Sequence, residues 1–184
     1  MSDPADQLYE RLLVLRCQTG DEAAFAALVE RYSPHLLYYL RKMLGEGKAD
    51  AEDVLQDVWF DVFRAAPRLN DPASFPAWLY RIARNRTARR HRNKPRPERP
   101  LVEADLTDES DDEDYSTADV EQIHAALNEL VPEHREVLVL RFLEEMSYED
   151  VAQVVGCPLG TIRSRIHYAK RALRGVLERK NHYE

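Results

Sequence analysis

Cysteine is scarce in this sequence of 184 residues, and long apolar runs are missing. The two cysteines, Cys17 and Cys157, stand alone, without a C-x-x-C pair or a histidine at the spacing of a metal site. We expect both thiols to be reduced and structural, and we expect no metal or other cofactor. No apolar run approaches the roughly 20 residues of a membrane span, and the first residues lack the basic start and apolar core of a secretion signal. These absences predict a cytoplasmic protein that does not insert into membranes.

Alternation of apolar and polar residues, the pattern of a β-strand, is almost absent, and there are only six glycines. The composition, 44% hydrophobic and 32% charged, is that of a folded globular protein. We therefore predict an all-α fold, with Pro34 expected to kink the second helix. The predicted helices cover residues 6–17, 22–44, 51–66, 74–92, 117–130, 132–143, 147–155 and 158–179.

The net charge of −7, taken over the whole chain, argues against a nucleic-acid partner. The charges of separate segments indicate otherwise. Residues 78–99 contain nine arginines and lysines and one acid, whereas residues 101–121 contain ten acids and no lysine or arginine. This reversal, with three prolines at its start, predicts a flexible linker over residues 95–117 between domains at 1–94 and 118–184. The acidic run is either a solvated tether or a mimic of nucleic acid in a basic channel.

The strongest local signal is a short capped helix, a turn containing Gly156, and a longer helix, which together predict a helix-turn-helix. On the longer helix one apolar stripe should pack against the domain, and small, polar and cationic residues gather on the opposite side. A helix in the major groove needs this arrangement, although an ordinary surface helix with solvated charges would also show it. The stripe consists of Ile162, Ile166, Ala169, Leu173 and Val176, and the opposite side of Gly160, Arg163, Ser164, His167, Lys170, Arg171 and Arg174.

Two further helices carry functional signals. The helix that contains Trp78 combines aromatic residues with a dense arginine surface, which is typical of contacts to single-stranded nucleic acid. We expect Trp78 to pack in the core and the arginines to contact the nucleic acid. The helix around Asp53 and Asp57 has an acidic polar side, which is either a docking surface for a basic partner or a solvated face.

Three segments together resemble one known family. They are residues 51–60 (AEDVLQDVWF), residues 75–85 (FPAWLYRIARN) and residues 147–165, which hold the helix-turn-helix. In this order they resemble the extracytoplasmic-function, or group IV, sigma factors of bacterial RNA polymerase, and the resemblance covers nearly the whole chain. It implies two helical domains, sigma regions 2 and 4, joined by a flexible linker that passes through the polymerase.

The resemblance also implies roles for individual residues. The residues that would dock on the clamp helices of the largest polymerase subunit are Asp53, Gln56, Asp57 and Phe60. The residues that would contact the melted minus-ten strand are Leu69, Asn70, Asp71 and Asn85. Two arginines of the basic helix, Arg81 and Arg84, are further candidates for this contact. Reading of the minus-thirty-five element in the major groove falls to Thr161, Arg163, Ser164 and His167, and the cationic face adds Lys170 and Arg171.

Two departures from the family pattern are visible. Tyr168 stands where many members carry arginine, which puts one backbone contact in question. The loop at residues 68–72 lacks an aromatic residue and a glycine that some members show, so its preferred base is open. Family members are commonly held inactive by an anti-sigma factor, and we expect one for this chain.

Three functions from different classes remain open at this stage. The first is a non-catalytic sigma subunit that binds core RNA polymerase and promoter DNA. The second is an autonomous helix-turn-helix regulator, which would bind duplex DNA tightly without polymerase. The third, an enzyme acting on nucleic acid, has little support because the six histidines form no H-E-x-x-H array and no glycine-rich phosphate loop is present.

Overall fold

The computed structural model describes residues 3–45, 48–92 and 120–181, and all regular elements in these ranges are helical. The predicted all-α fold is confirmed. The α-helices are α1 (Pro4–Gln18), α2 (Glu22–Leu44), α3 (Lys48–Ala65), α4 (Phe75–Arg92), α5 (Val120–Glu129), α6 (Pro132–Leu138), α7 (Tyr148–Val155) and α8 (Leu159–Asn181). Two short 3-10 turns, Ala66–Arg68 and Pro72–Ser74, join α3 to α4, and a π-helical segment, Val139–Leu143, extends α6.

Side-chain caps determine where several helices begin. The carboxylate of Asp21 accepts a hydrogen bond from the backbone N–H of Ala24, so α2 starts at the predicted residue. Ser147 and Asp150 form a reciprocal capping box at the start of α7. At its end, Gly156 adopts a left-handed conformation with φ of 73°, which a residue with a Cβ adopts only with strain.

Besides shifts of helix ends by up to three residues, the structure differs from the sequence prediction at two places. The helix predicted over 132–143 changes to π-helical hydrogen bonding after Leu138, and the backbone N–H of Glu144 donates to the carbonyl of Val139. Helical spacing also predicts Phe63 in the apolar stripe of α3, but Phe63 is 60% exposed because Val58 and Val62 face the core and Phe63 lies about 100° further round the helix. α2 continues through Pro34, and the kink there stays a prediction.

The N-terminal helices α1 to α4 pack around large side chains that solvent does not reach. Leu28, Leu36 and Tyr39 of α2 meet Phe75 and Tyr80 of α4 in this core. Trp78 is half-buried against it, and its ring centroid lies 5.9 Å from that of Phe75. The expectation that Trp78 packs in the core is confirmed.

The C-terminal helices α5 to α8 pack around a second group of apolar side chains, and the two groups are continuous. α4 packs against α7, and α2 packs against α6, so the N-terminal and C-terminal parts share an interface. The domain limits 1–94, 95–117 and 118–184 remain a prediction, and the acidic linker lies outside the described residues. Among the described helices, none is long and apolar enough to cross a membrane.

Candidate nucleic-acid interface

The second helix of the helix-turn-helix, α8, has one buried and one open side. Every residue of the predicted apolar stripe is buried, from Ile162, which is fully inaccessible, to Leu173 and Val176. The opposite side carries the predicted contacts. Thr161, Arg163 and Arg171 are exposed. Ser164, His167 and Lys170 are half-buried. The six predicted minus-thirty-five residues therefore lie on the half of α8 that faces away from the buried stripe, with Thr161 and Lys170 at its two edges.

Local contacts fix several side chains on this face. The hydroxyl of Ser164 donates to the backbone carbonyls of Gly160 and Thr161, at 3.2 and 2.9 Å, so it is held against its own helix. The ammonium of Lys170 lies 5.5 Å from the ring centroid of Phe142. The rings of His167 and Tyr168 meet edge to face. Tyr168 is thus part of this surface, although it replaces the arginine common in the family.

The loop between the two 3-10 turns lines a cleft of about 310 Å³. The side-chain amide of Gln18 donates to the carbonyls of Ala66 and Leu69, at 3.1 and 2.6 Å, and holds the loop on α1. The Asp71 carboxylate accepts from the backbone N–H of Ala73, so it shapes the turn. Four of the six predicted minus-ten residues line this cleft: Leu69, Asn70, Asp71 and Arg81. Trp78 and, from the other part of the chain, Gln153 complete its wall.

The remaining predicted minus-ten residues, Arg84 and Asn85, lie on α4 away from the cleft. Asn85 is exposed. The guanidinium Nε of Arg84 donates to Oε1 of Glu136 on α6, at 2.9 Å, so this arginine contacts the C-terminal part, although 34% of its side chain stays exposed. The predicted set is therefore divided between a loop cleft and an interface.

Other arginines of α4 pair with carboxylates of α3. Arg86 donates to both carboxylate oxygens of Asp61, at 2.5 and 2.6 Å, and to Asp57 at 3.2 Å. Arg90 pairs with Asp50. Because the Arg86 guanidinium hydrogen-bonds to it, the pKa of the Asp61 carboxyl is lowered from its ordinary value. The arginine surface predicted from the sequence is thus partly neutralised within the N-terminal part.

The predicted polymerase-docking residues share the outer face of α3. Asp53, Gln56, Asp57 and Phe60 follow one another at three- and four-residue spacing, and all four are exposed. Phe60 is 59% exposed, and the Arg64 guanidinium carbon lies 5.6 Å from its ring centroid. Aromatic side chains are enriched at protein interfaces, and the exposed Phe60 gives this acidic face an apolar contact point.

The structure places at these surfaces three residues that sequence reasoning did not name as contacts. Phe63, predicted in the apolar stripe of α3, lies one turn from Phe60 and extends the aromatic surface. Gln18 supports the loop, and Gln153 borders the cleft. Only Phe63 had a detectable signal, since two phenylalanines at three-residue spacing on an acidic helix share a face. The two glutamines act across 48 and more residues of sequence, which no local pattern reveals.

Family models match both parts of the chain. The model of sigma-70 region 2 matches residues 28–96, and the model of sigma-70 region 4 matches residues 120–173. The ECF RNA polymerase sigma-E factor of Escherichia coli K12 is 33% identical over 92% of this chain and 94% of its own length. The chain belongs to the extracytoplasmic-function (ECF) sigma factors. It is an alternative sigma factor of promoter-specific transcription initiation.

Further relatives agree with this assignment. The sigma-H factor of RNA polymerase from Pseudomonas aeruginosa is 32% identical over 94% of this sigma factor and 95% of its own length. Among solved structures, the sigma factor RpoE of Bartonella quintana, in complex with the anti-sigma factor NepR, has a TM-score of 0.65 and 26% identity. The match covers 84% of this chain and 96% of that one. CnrH, in complex with the cytosolic domain of CnrY, shares the fold with a TM-score of 0.67, 24% identity, and coverage of 92% and 97%.

Proposed function

We propose that this sigma factor binds core RNA polymerase through the outer face of α3 and reads two promoter elements with separate surfaces. α8 enters the major groove at the minus-thirty-five element, with Thr161, Arg163, Ser164 and His167 towards base edges. Lys170 and Arg171 neutralise phosphates. The cleft of Leu69, Asn70, Asp71 and Arg81 receives the melted minus-ten strand, and Arg84 and Asn85 continue that contact along α4.

One observation carries the proposal more than any other. α8 buries its whole apolar stripe and turns an uninterrupted polar and cationic face outwards, behind a capped helix and a glycine turn. A reading helix needs this combination, because its fixed side sets the orientation of the side chains that approach the bases. The α3 face, with an exposed phenylalanine among acids, supplies the second surface that a polymerase subunit requires.

We also propose that the protein has no catalytic role of its own and acts inside the cell, where RNA polymerase is. The polymerase performs the chemistry, and this chain selects the promoter. The Bartonella quintana relative forms a complex with an anti-sigma factor, and this supports the same type of control here. We propose that an anti-sigma factor covers the α3 face and thereby blocks polymerase binding.

The polymerase contact is tested with the double variant D53A/Q56A. Both side chains are exposed and make no recorded hydrogen bond within the described structure, so the fold should be unaffected. We expect binding to core polymerase to weaken at least about tenfold, as for the loss of two central polar contacts. The measurement is a titration of fluorescently labelled sigma factor with core polymerase.

The matched control is E30A, which removes the same single charge from an exposed position on α2. It should bind core polymerase like the wild type. Unchanged binding of D53A/Q56A with an intact circular dichroism spectrum would place the polymerase contact elsewhere. No binding of the wild type, together with a tight footprint on duplex DNA, would favour the autonomous regulator.

A further inference from the structure

Two glutamates of the C-terminal part enter the N-terminal part, and each meets a tyrosine. Oε1 of Glu136 accepts the hydroxyl of Tyr39 at 2.9 Å and Nε of Arg84 at 2.9 Å. Oε2 of Glu144 accepts the hydroxyl of Tyr80 at 2.5 Å and lies 3.3 Å from Nδ1 of His35. Each carboxylate therefore accepts a tyrosine hydroxyl across the interface, Glu136 also accepts Arg84, and the imidazole of His35 lies beside Glu144.

Both carboxylates are removed from solvent. The side chain of Glu136 is 10% exposed and that of Glu144 is 6% exposed, and burial raises the pKa of Glu144. A buried carboxylate costs free energy that its partners only partly offset, so such a contact contributes little net stability, whereas removal of one member leaves its partner unpaired and destabilises the closed arrangement. The interface is accordingly suited to opening and closing, because each carboxylate regains water when the parts separate.

The closed arrangement is incompatible with reading two promoter elements at once. Centres at minus ten and minus thirty-five are about 25 base pairs apart, or roughly 85 Å of duplex at 3.4 Å per pair. A compact chain of this length has a radius of gyration of about 16 Å. α7, the first helix of the helix-turn-helix, packs directly on α4, so the helix-turn-helix of one part is held beside the strand-binding helix of the other. The parts must separate on the promoter.

Arg84 is the residue on which closure and strand binding compete. It lies three residues after Arg81 of the cleft and one before the exposed Asn85, and its guanidinium is on Glu136. Carboxylate and phosphate both offer oxygen acceptors to a guanidinium, and the Nε–H of Arg84 donates to Oε1 of Glu136. While this Nε–H donates to Glu136, it cannot donate to a phosphate.

We propose that Glu136 is a built-in substitute for a DNA phosphate, which keeps Arg84 occupied in the closed chain and releases it to the minus-ten strand when the parts separate. Tyr39 fixes the carboxylate, since its hydroxyl donates to the same oxygen and its ring is fully buried against Tyr80. The inference rests on the proposed function for the identity of the strand. The closure itself depends only on contacts within the chain.

The test uses the full chain and the variant E136Q, which keeps the size of the side chain and removes its charge. Small-angle X-ray scattering should give a larger radius of gyration for E136Q than for the wild type. Binding to a fluorescent single-stranded DNA of 12 nucleotides with mixed sequence should tighten about tenfold, as expected for one charged contact made available. Circular dichroism and calorimetry establish that the variant is folded.

Two further variants make the result specific. E129Q breaks a glutamate pair with Lys180 that lies within the C-terminal part, and it should match the wild type in both measurements. R84A/E136Q should expand like E136Q, but its affinity for the strand should return to within about twofold of the wild type, since the released cation is gone. Y39F provides a second route, because it removes the hydroxyl and should also expand the chain.

Wild-type dimensions and wild-type strand affinity for both E136Q and Y39F would overturn the proposal. So would a gain in affinity that persists in R84A/E136Q. Binding to core polymerase is measured in parallel to separate the two claims. If the proposed function is wrong, no variant binds core polymerase. If only the proposal for Glu136 and Arg84 is wrong, the variants bind core polymerase but E136Q does not expand.

Discussion

The arginines of α4 and the cations of α8 differ in what they already contact. Arg84, Arg86 and Arg90 each pair with a carboxylate of this chain. On α8, Arg163 and Arg171 are exposed, and within the described residues no ion pair of either is recorded. Both helices carry positive charge in the sequence, but much of the charge on α4 is already paired, whereas Arg163 and Arg171 of α8 are open to solvent. On the minus-ten surface Arg81 is exposed as well, and Arg84 is the predicted contact that requires a change of partner before it can bind.

The largest expected effect is on α8. R163A should weaken binding of the holoenzyme to its promoter by about 1–3 kcal/mol at one base pair, if Arg163 reads a base edge. The measurement compares R163A with the wild type on a set of promoters that differ singly across the minus-thirty-five element. R179A, an exposed arginine in the last turn of the same helix, is the matched control and should leave the base preference unchanged.

A uniform loss of affinity across all promoters in that set would contradict base reading by Arg163. It would assign the residue to a phosphate, because phosphate contacts position the protein without sequence information. The logarithm of the affinity would then fall less steeply with the logarithm of the salt concentration. The magnitude of this slope would be smaller by about one, as for the loss of one neutralised phosphate.

A smaller effect is expected for the pairs that occupy α4. D61N replaces the carboxylate that accepts two hydrogen bonds from Arg86. The free energy of unfolding at pH 7 should fall by about 1 kcal/mol or less, because the pair is partly solvated. The folded-state pKa of Asp61 is lowered, so its contribution is present above the ordinary carboxyl pKa of about 3.9. The difference between wild type and D61N should therefore disappear as the pH falls below that value.

The control for this prediction is D57N. Asp57 contacts the same arginine at 3.2 Å, but 61% of its side chain is exposed, so its loss should change stability little while it affects polymerase binding. Chemical denaturation at pH 3 to 7 gives both curves. Equal destabilisation by D57N and D61N would show that α3 and α4 are not joined mainly through Asp61.

Local signals in the sequence were sufficient for much of the fold. Asp21, the Ser147 and Asp150 box and Gly156 each act within four residues, so their effects on helix limits could be predicted from spacing alone. The apolar stripe of α8 follows from helical periodicity, and all its predicted members are buried. The four candidate residues on α3 came from the family resemblance and not from a local pattern, and the structure exposes all four.

The contacts between the two parts could not be predicted in this way. Tyr39 and Glu136 are 97 residues apart, and Glu136 is one charge in front of an apolar run, where a surface position is the ordinary expectation. The π-helical segment and the exposure of Phe63 also depend on how neighbouring helices pack. Arg84 shows the consequence most clearly, since its residue type indicated an anion partner but not that the chain supplies one.

The central claim is that this chain directs core polymerase to promoters with two separately read elements. The most direct measurement is transcription in vitro by core polymerase from a library of promoter fragments, with and without the protein, followed by mapping of the RNA 5′ ends. The account predicts new start sites that share one motif near minus ten and another near minus thirty-five. Start sites identical with and without the protein would contradict it.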